Sequence, residues 1–153
     1  MEKIPQEQAR YLAEAFRCEF VSLCGICVEE IRRGYLESRM EVAKRHEQQN
    51  GVVHAGVIST MADHSAGYAA FTVIPEEYEV LTVEYKINFF RPAHADSLLC
   101  RARVLKEGGR IMVGESEVFA EAGTEEMLVA KATVTLAVVH KDKMPQKNSA
   151  FPE

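Results

Sequence analysis

An aspartate, Asp63, closes the run His54, Ala55, Gly56, Val57, Ile58, Ser59, Thr60, Met61, Ala62, whose members are mostly apolar or small. A carboxylate in such a segment must be hydrogen-bonded, paired or turned toward a cavity, because an unpaired buried charge is too costly. Two readings are open: Asp63 reaches solvent or ties down a neighbouring loop, or it faces a cleft as a general base or nucleophile. The residues around it favour the second. His54 and Gly56 stand where a polar loop enters a helix, and the first turn of a helix presents backbone N–H groups that can hold a carbonyl oxygen as it gains negative charge. Ser65, Ala66 and Gly67 after it are small, so an acyl chain or another helix can come close. N–H donors at the helix start and a carboxylate two turns on, facing one cleft or meeting across a subunit boundary, suit hydrolysis of an activated ester.

Other residues with chemical potential are less telling. His54 either orients the loop by hydrogen bonding or acts on the substrate itself, and its ordinary pKa allows both near neutrality. His46 and His64 read as structural histidines. With no HxH or HExxH spacing among them, neither a metal nor any other cofactor is expected. The strand end Asn88, Phe89, Phe90, Arg91, Pro92 and the hairpin around Gly108 and Gly109, flanked by Lys106 and Arg110, offer Arg91, Lys106 and Arg110 to the phosphates of a nucleotide-bearing thioester; a solvated strand end and an ordinary hairpin explain them equally well. Cys18, Cys24, Cys27 and Cys100 include one CxxC pair without a second, so small buried thiols are expected.

The elements that must position these groups can be read from periodicity. Ala9, Leu12, Ala13 and Phe16 recur at helical spacing, predicting a helix from Pro5 to about Glu19. Strands are expected from Gly25 to Arg33 and Tyr35 to Val42, hinged at Gly34, then a loop between His46 and Gly56. From Val57 to Phe71 the apolar residues wind round nearly every face, predicting a buried helix. Strands at about Glu79–Phe90, Ser97–Glu107, Arg110–Glu121 and Met127–Val139 complete the pattern, with turn signals between them. A strongly curved antiparallel sheet wrapped around one helix, an α+β arrangement, satisfies this order.

The 153 residues provide one sizeable core, expected over residues 1–140, with the lysine-rich stretch 141–153 reading as a flexible tail. A net charge of -5 without a basic stripe argues against nucleic acid as the main partner. No run of 18 apolar residues is present to insert in a membrane, and the polar start lacks the pattern of a secretion signal, so a cytoplasmic protein is expected.

With these residues in place, the sequence resembles the hotdog thioesterases of the phenylacetate-pathway type, which include the acyl-CoA thioesterase 13 group. Those proteins carry a histidine, usually an asparagine two positions later, a glycine, a His-Gly-Gly triplet and an acid nine positions after that second histidine. Here the matching residues are His46, Gln48, Gly51, His54 with Ala55 and Gly56, and Asp63. A second signature, similar to Asn-Phe-Leu-Arg-Pro-Ala, stands at Asn88 to Ala93, and the likeness runs from about Tyr35 to Val139. The resemblance implies a hotdog fold, an acyl-CoA or other acyl-thioester substrate, and a homodimer that often pairs into a tetramer with sites at the subunit boundary. It also implies that Asp63 is the base or nucleophile, that the Ala55 N–H polarises the thioester carbonyl across that boundary, and that Thr82 assists the aspartate. Gln48 replaces the usual asparagine and carries its amide one methylene further; Ala55 replaces a glycine whose role is played by a backbone N–H. These two departures keep a non-catalytic acyl-thioester-binding module as the alternative, ahead of a dehydratase.

Overall fold

The computed structural model describes residues 2–144. Two helices, α1 (Gln6–Phe16) and α2 (Glu19–Cys24), precede the hairpin of β1 (Cys27–Arg32) and β2 (Tyr35–Glu41). A looped segment containing a 3-10 turn at Lys44–His46 leads to α3 (Ala55–Phe71). Then come β3 (Tyr78–Phe89), β4 (Ser97–Lys106), β5 (Ile111–Ala122) and β6 (Glu125–His140). All six strands form one antiparallel sheet in the order β1-β2-β4-β5-β6-β3. The sheet curves around α3, giving the expected α+β hotdog architecture.

Helix α3 forms because its residues are mainly good or small helix formers, and it ends where Thr72, Val73, Ile74 and Pro75 bring β-branching and a ring that cannot continue it. The Thr72 hydroxyl donates to the Ala69 carbonyl at 2.6 Å and accepts from the Gly34 N–H at 2.6 Å, tying the helix end to the β1–β2 turn. Burial along α3 is less uniform than its composition suggests. Ile58, Met61, Ala62, Ser65, Ala66, Ala69 and Ala70 form one buried stripe against the sheet, at the three-and-four spacing of a single helical face. Ser59, Thr60, Asp63 and Gly67 lie outside that stripe. Small residues serve this contact: a Cβ at Gly114 of β5 would stand 3.5 Å from the Ala66 methyl. Ser65 and Ala66, small residues expected to let an acyl chain or another helix come close, are therefore spent, with Ala62 and Ala69, on the chain's own sheet.

Two other expectations need correction. The N-terminal helix ends at Phe16; Cys18 is extended and α2 begins at Glu19, so two short helices replace one. Cys18 and Cys27 are exposed and Cys24 half-buried, leaving Cys100 as the buried thiol, pushed up to about 12 by burial against the opposing pull of Ser65, Ser116 and Ser38. Strand β3 is exposed along much of its length, Leu81, Val83, Tyr85 and Phe89 included, and it is an outer strand that only β6 pairs with. Past His140 the chain makes one 3-10 turn, Lys141–Lys143, with the Lys141 N–H donating to the Glu77 carbonyl at 2.9 Å. The remainder of the expected tail, residues 145–153, lies outside the described residues.

Candidate active site

The approach to α3 is a small antiparallel turn. The Gln48 N–H donates to the Val52 carbonyl at 2.9 Å, and Gly51 closes the turn with φ 73, a conformation that favours glycine. The His54 N–H donates to the His46 carbonyl at 2.8 Å, delivering the chain to the helix start. The His54 side chain caps the helix: its Nδ1 accepts from the Gly56 N–H at 2.9 Å. With Nδ1 accepting, Nε2 is left as the ring's donor. The bond also explains Gly56, where a Cβ would stand 3.0 Å from His54 Nδ1 and crowd the cap.

The cap leaves one donor over. Among the described residues the Ala55 N–H has no hydrogen-bond partner, as expected of the first helical position. Among the described residues no side-chain-bearing residue has positive φ, so alanine at position 55 carries no backbone strain.

Asp63 lies outside the buried stripe of α3 and reaches the outer strand β3, accepting a hydrogen bond at Oδ1 from the Thr82 hydroxyl, 2.8 Å away. Thr82 stands beside a register irregularity in the β3–β6 ladder, between Thr82 and Glu84. Such bulges re-aim side chains. Asp63 borders a cleft of about 330 Å³ with Gly56, Ser59, Thr60 and His64 from α3, Cys18, Phe20 and Val21 from the N-terminal segment, and Tyr85 from β3. The next residue, His64, is committed to structure. Its Nε2 lies 3.0 Å from the Phe16 carbonyl, and its ring packs edge-on against Phe16 at 4.5 Å. Burial lowers its pKa, against the opposing pull of the Phe16 carbonyl and Asp63. His46 is buried with its Nδ1 accepting from the Ala43 N–H at 2.9 Å, and burial lowers its pKa as well, helped by Arg45.

The structure therefore brings together Asp63, Thr82 and Gly56, with His54 and Ala55 at the helix start beside Gly56. It leaves other candidates elsewhere. Gln48 sits in the turn before the helix, not on the border of the cleft. Asn88 is exposed near the end of β3, opposite Lys131. Arg91 donates to the Leu128 carbonyl at 3.1 Å, beside the start of β6. Arg110 accepts at its carbonyl from the Val138 N–H, near the end of β6, and Lys106 flanks the same hairpin. Arg91 and the Lys106–Arg110 pair are thus separated by roughly ten strand residues, or about 33 Å. They form no phosphate cluster within one chain. Among the described residues, no three His, Cys, Asp or Glu side chains converge to hold a metal ion.

Sequence reasoning missed the walls of the cleft. Ser59 and Thr60 stand four and three positions before Asp63, a spacing that places them on its face of the helix and so was readable. Phe20, Val21 and Tyr85 come from segments distant in sequence, and no local spacing announced them.

The curved sheet, the single packed helix and the acid midway along it define a hotdog protein. The model of the Thioesterase superfamily matches residues 50–127. The chain belongs to that superfamily. A solved thioesterase family protein from Silicibacter pomeroyi is similar over 87% of this chain and 98% of that one, at 34% identity and a TM-score of 0.84. The phenylacetic acid degradation protein PaaI from Thermus thermophilus, solved as a point mutant, is 25% identical, with a TM-score of 0.69 over 78% of this chain and 98% of its own. Among sequence relatives, the 1,4-dihydroxy-2-naphthoyl-CoA hydrolase of Escherichia coli is 27% identical over 78% of this chain and 85% of its own length. The match to two Saccharolobus solfataricus proteins provisionally named esterases spans only 63% and 64% of their length.

Proposed function

We propose that this protein hydrolyses an acyl-CoA or related acyl thioester to a free acid and a thiol, with Asp63 as the general base or nucleophile. The observation that carries the reading is the Asp63 carboxylate, held at one oxygen by Thr82 while facing a cleft. As base, Asp63 takes a proton from water while the water oxygen bonds to the thioester carbonyl carbon. The oxyanion that forms is stabilised by a backbone N–H, and its collapse breaks the C–S bond, the thiolate leaving with the proton. As nucleophile, Asp63 attacks the carbonyl carbon and expels the thiolate, forming an acyl anhydride that water then cleaves to the free acid and the regenerated carboxylate. The relative that hydrolyses a CoA thioester supports the reaction class.

The Ala55 N–H is the donor assigned to the carbonyl, and the length of the helix supports its supply by a second copy. Ala55 precedes Asp63 by eight residues, a rise of about 12 Å along α3. One thioester group does not span that gap, so the N–H and the carboxylate serving one substrate come from different copies of the chain. The exposed apolar residues of β3, followed by Phe90, offer the surface for a second copy. His54 then acts by capping, and Gln48 supports the loop rather than the reacting atoms. Arg91 on one side and Lys106 and Arg110 on the other contact the nucleotide end only as groups of different copies.

The test is release of free thiol from a panel of acyl-CoA substrates. Saturable turnover that Asp63→Asn abolishes supports the enzyme, whereas binding of thioesters without turnover identifies a non-catalytic module. A single turnover in ¹⁸O-labelled water tests the nucleophile: label appearing in the Asp63 carboxylate identifies it, since only water opening an anhydride at the aspartyl carbonyl places label there.

A further inference from the structure

One wall of the Asp63 cleft comes from outside the part of the chain that the superfamily match covers. Cys18, Phe20 and Val21 border the cleft, and all three precede residue 50, where the match begins. Neighbouring side chains on α2 are used differently. Val21 is 1% exposed and locks the helix into the core, while Phe20 beside it is 61% exposed. The wall is held from both ends. His64 reaches the Phe16 carbonyl at the end of α1, and the Ile26 N–H donates to the Val21 carbonyl at 3.2 Å just beyond α2. A large ring is therefore presented at the cleft on an anchored backbone, with most of its surface still uncovered. Tyr85, 43% exposed, is the other large side chain at this cleft with much of its surface open.

We propose that Phe20 is a specificity-determining residue of the Asp63 site, forming the acyl-side wall that favours compact acyl groups over long chains. The proposal rests on the hydrolase reading above. The cleft lies at the small end of the volumes typical of ligand sites. A compact acyl group gains by covering the Phe20 ring and the open face of Tyr85, since apolar area leaves water on both sides of the contact. A long chain must displace the ring or run past it into solvent. Specificity of this kind lies in the ratio of kcat/KM between substrates, and one methylene in an apolar pocket already changes such a ratio by about 10-fold to 200-fold.

The experiment compares kcat/KM for butyryl-CoA and dodecanoyl-CoA in the full-length protein, in Phe20→Ala and Phe20→Leu, and in Leu23→Ala as a control. Leu23 is 74% exposed on the same helix but does not border the cleft. Phe20→Ala is expected to raise the dodecanoyl-to-butyryl ratio at least tenfold, Phe20→Leu by an intermediate factor, and Leu23→Ala by less than twofold. Butyryl-pantetheine is measured beside butyryl-CoA, and sedimentation equilibrium confirms the mass of each variant. A ratio that stays within twofold in Phe20→Ala overturns the proposal while leaving the hydrolase standing. So does a change confined to the discrimination between CoA and pantetheine, which places Phe20 on the thiol side, or a lost subunit contact with equal losses on every substrate. A wild-type protein that releases no thiol from any acyl-CoA overturns both this proposal and the hydrolase reading.

Discussion

At the scale of single residues, the proposed chemistry depends on how one carboxylate is held. The Asp63–Thr82 bond uses one carboxylate oxygen and leaves the other for the reacting group. Asp63→Asn keeps shape and volume, so kcat should fall by about 10²-fold or more with KM within a few-fold and the melting temperature little changed. Steady-state thiol release and thermal unfolding on the same preparation check this; near wild-type turnover would leave Asp63 with a structural role only. Thr82→Val keeps the branched shape but removes the donor, and should lower kcat by roughly tenfold, with Thr82→Ser restoring most of it. An unchanged kcat in Thr82→Val would sever Thr82 from the mechanism. The placement of His54, Gly56 and Asp63 on one helix was legible in the sequence because they share one continuous stretch, whereas Ala55 came from the family resemblance. Phe20 and Tyr85 were not legible, because tertiary packing brings them to Asp63 and no periodicity links them.

Elements explain the pH response. His64 joins α3 to the end of α1, and His46 packs beneath the loop that feeds α3; burial lowers the pKa of both below the ordinary 6.5. The unfolded chain therefore binds more protons than the folded one as pH falls through and below 6.5. The stability these histidines confer is complete above about pH 6.5 and is lost as pH falls through their folded-state values. Melting temperatures measured between pH 7.5 and 5 should decline, and His46→Gln with His64→Gln should flatten that decline. A double variant with the wild-type slope would place the acid sensitivity elsewhere. Element boundaries followed the strength of the local signal. The α3 segment and the β1–β2 hairpin were readable, since a long apolar period and a hinge glycine mark them. Six-residue α2 was not, because Phe20 and Leu23 face outward and break any amphipathic pattern.

For the whole molecule, the unshared edge of β3 matters most. Leu81, Val83 and Phe89 expose apolar surface on a strand paired on one side only, an arrangement that invites a second chain. Sedimentation equilibrium should give at least twice the 17.1 kDa chain mass. Val83→Lys, at a side chain 60% exposed, should lower that mass and reduce kcat/KM by about 10²-fold or more, since a lone chain separates Ala55 from Asp63. A fully active monomer would refute the two-copy site. The resemblance implied assembly, and the small residues of α3 suggested close approach there; the exposed face of β3 was not legible, because it depends on the order in which the strands pair.

Beneath α3, the Ser38 and Ser65 hydroxyls lie 2.7 Å apart and the Ser116 hydroxyl donates to the Ala62 carbonyl at 2.6 Å. An alanine stripe on an apolar sheet has many nearly equivalent seatings, whereas a hydroxyl meets its partner in one. These serines supply directional information more than energy, since replacing both members of a buried hydrogen-bonded pair with apolar groups of like shape is often nearly neutral. A Ser38→Ala, Ser65→Ala protein can therefore melt as late as the parent while its helix samples several depths and rotations. Fast enzyme molecules would then coexist with slow ones, a heterogeneity that unfolding curves do not register and single-molecule turnover does.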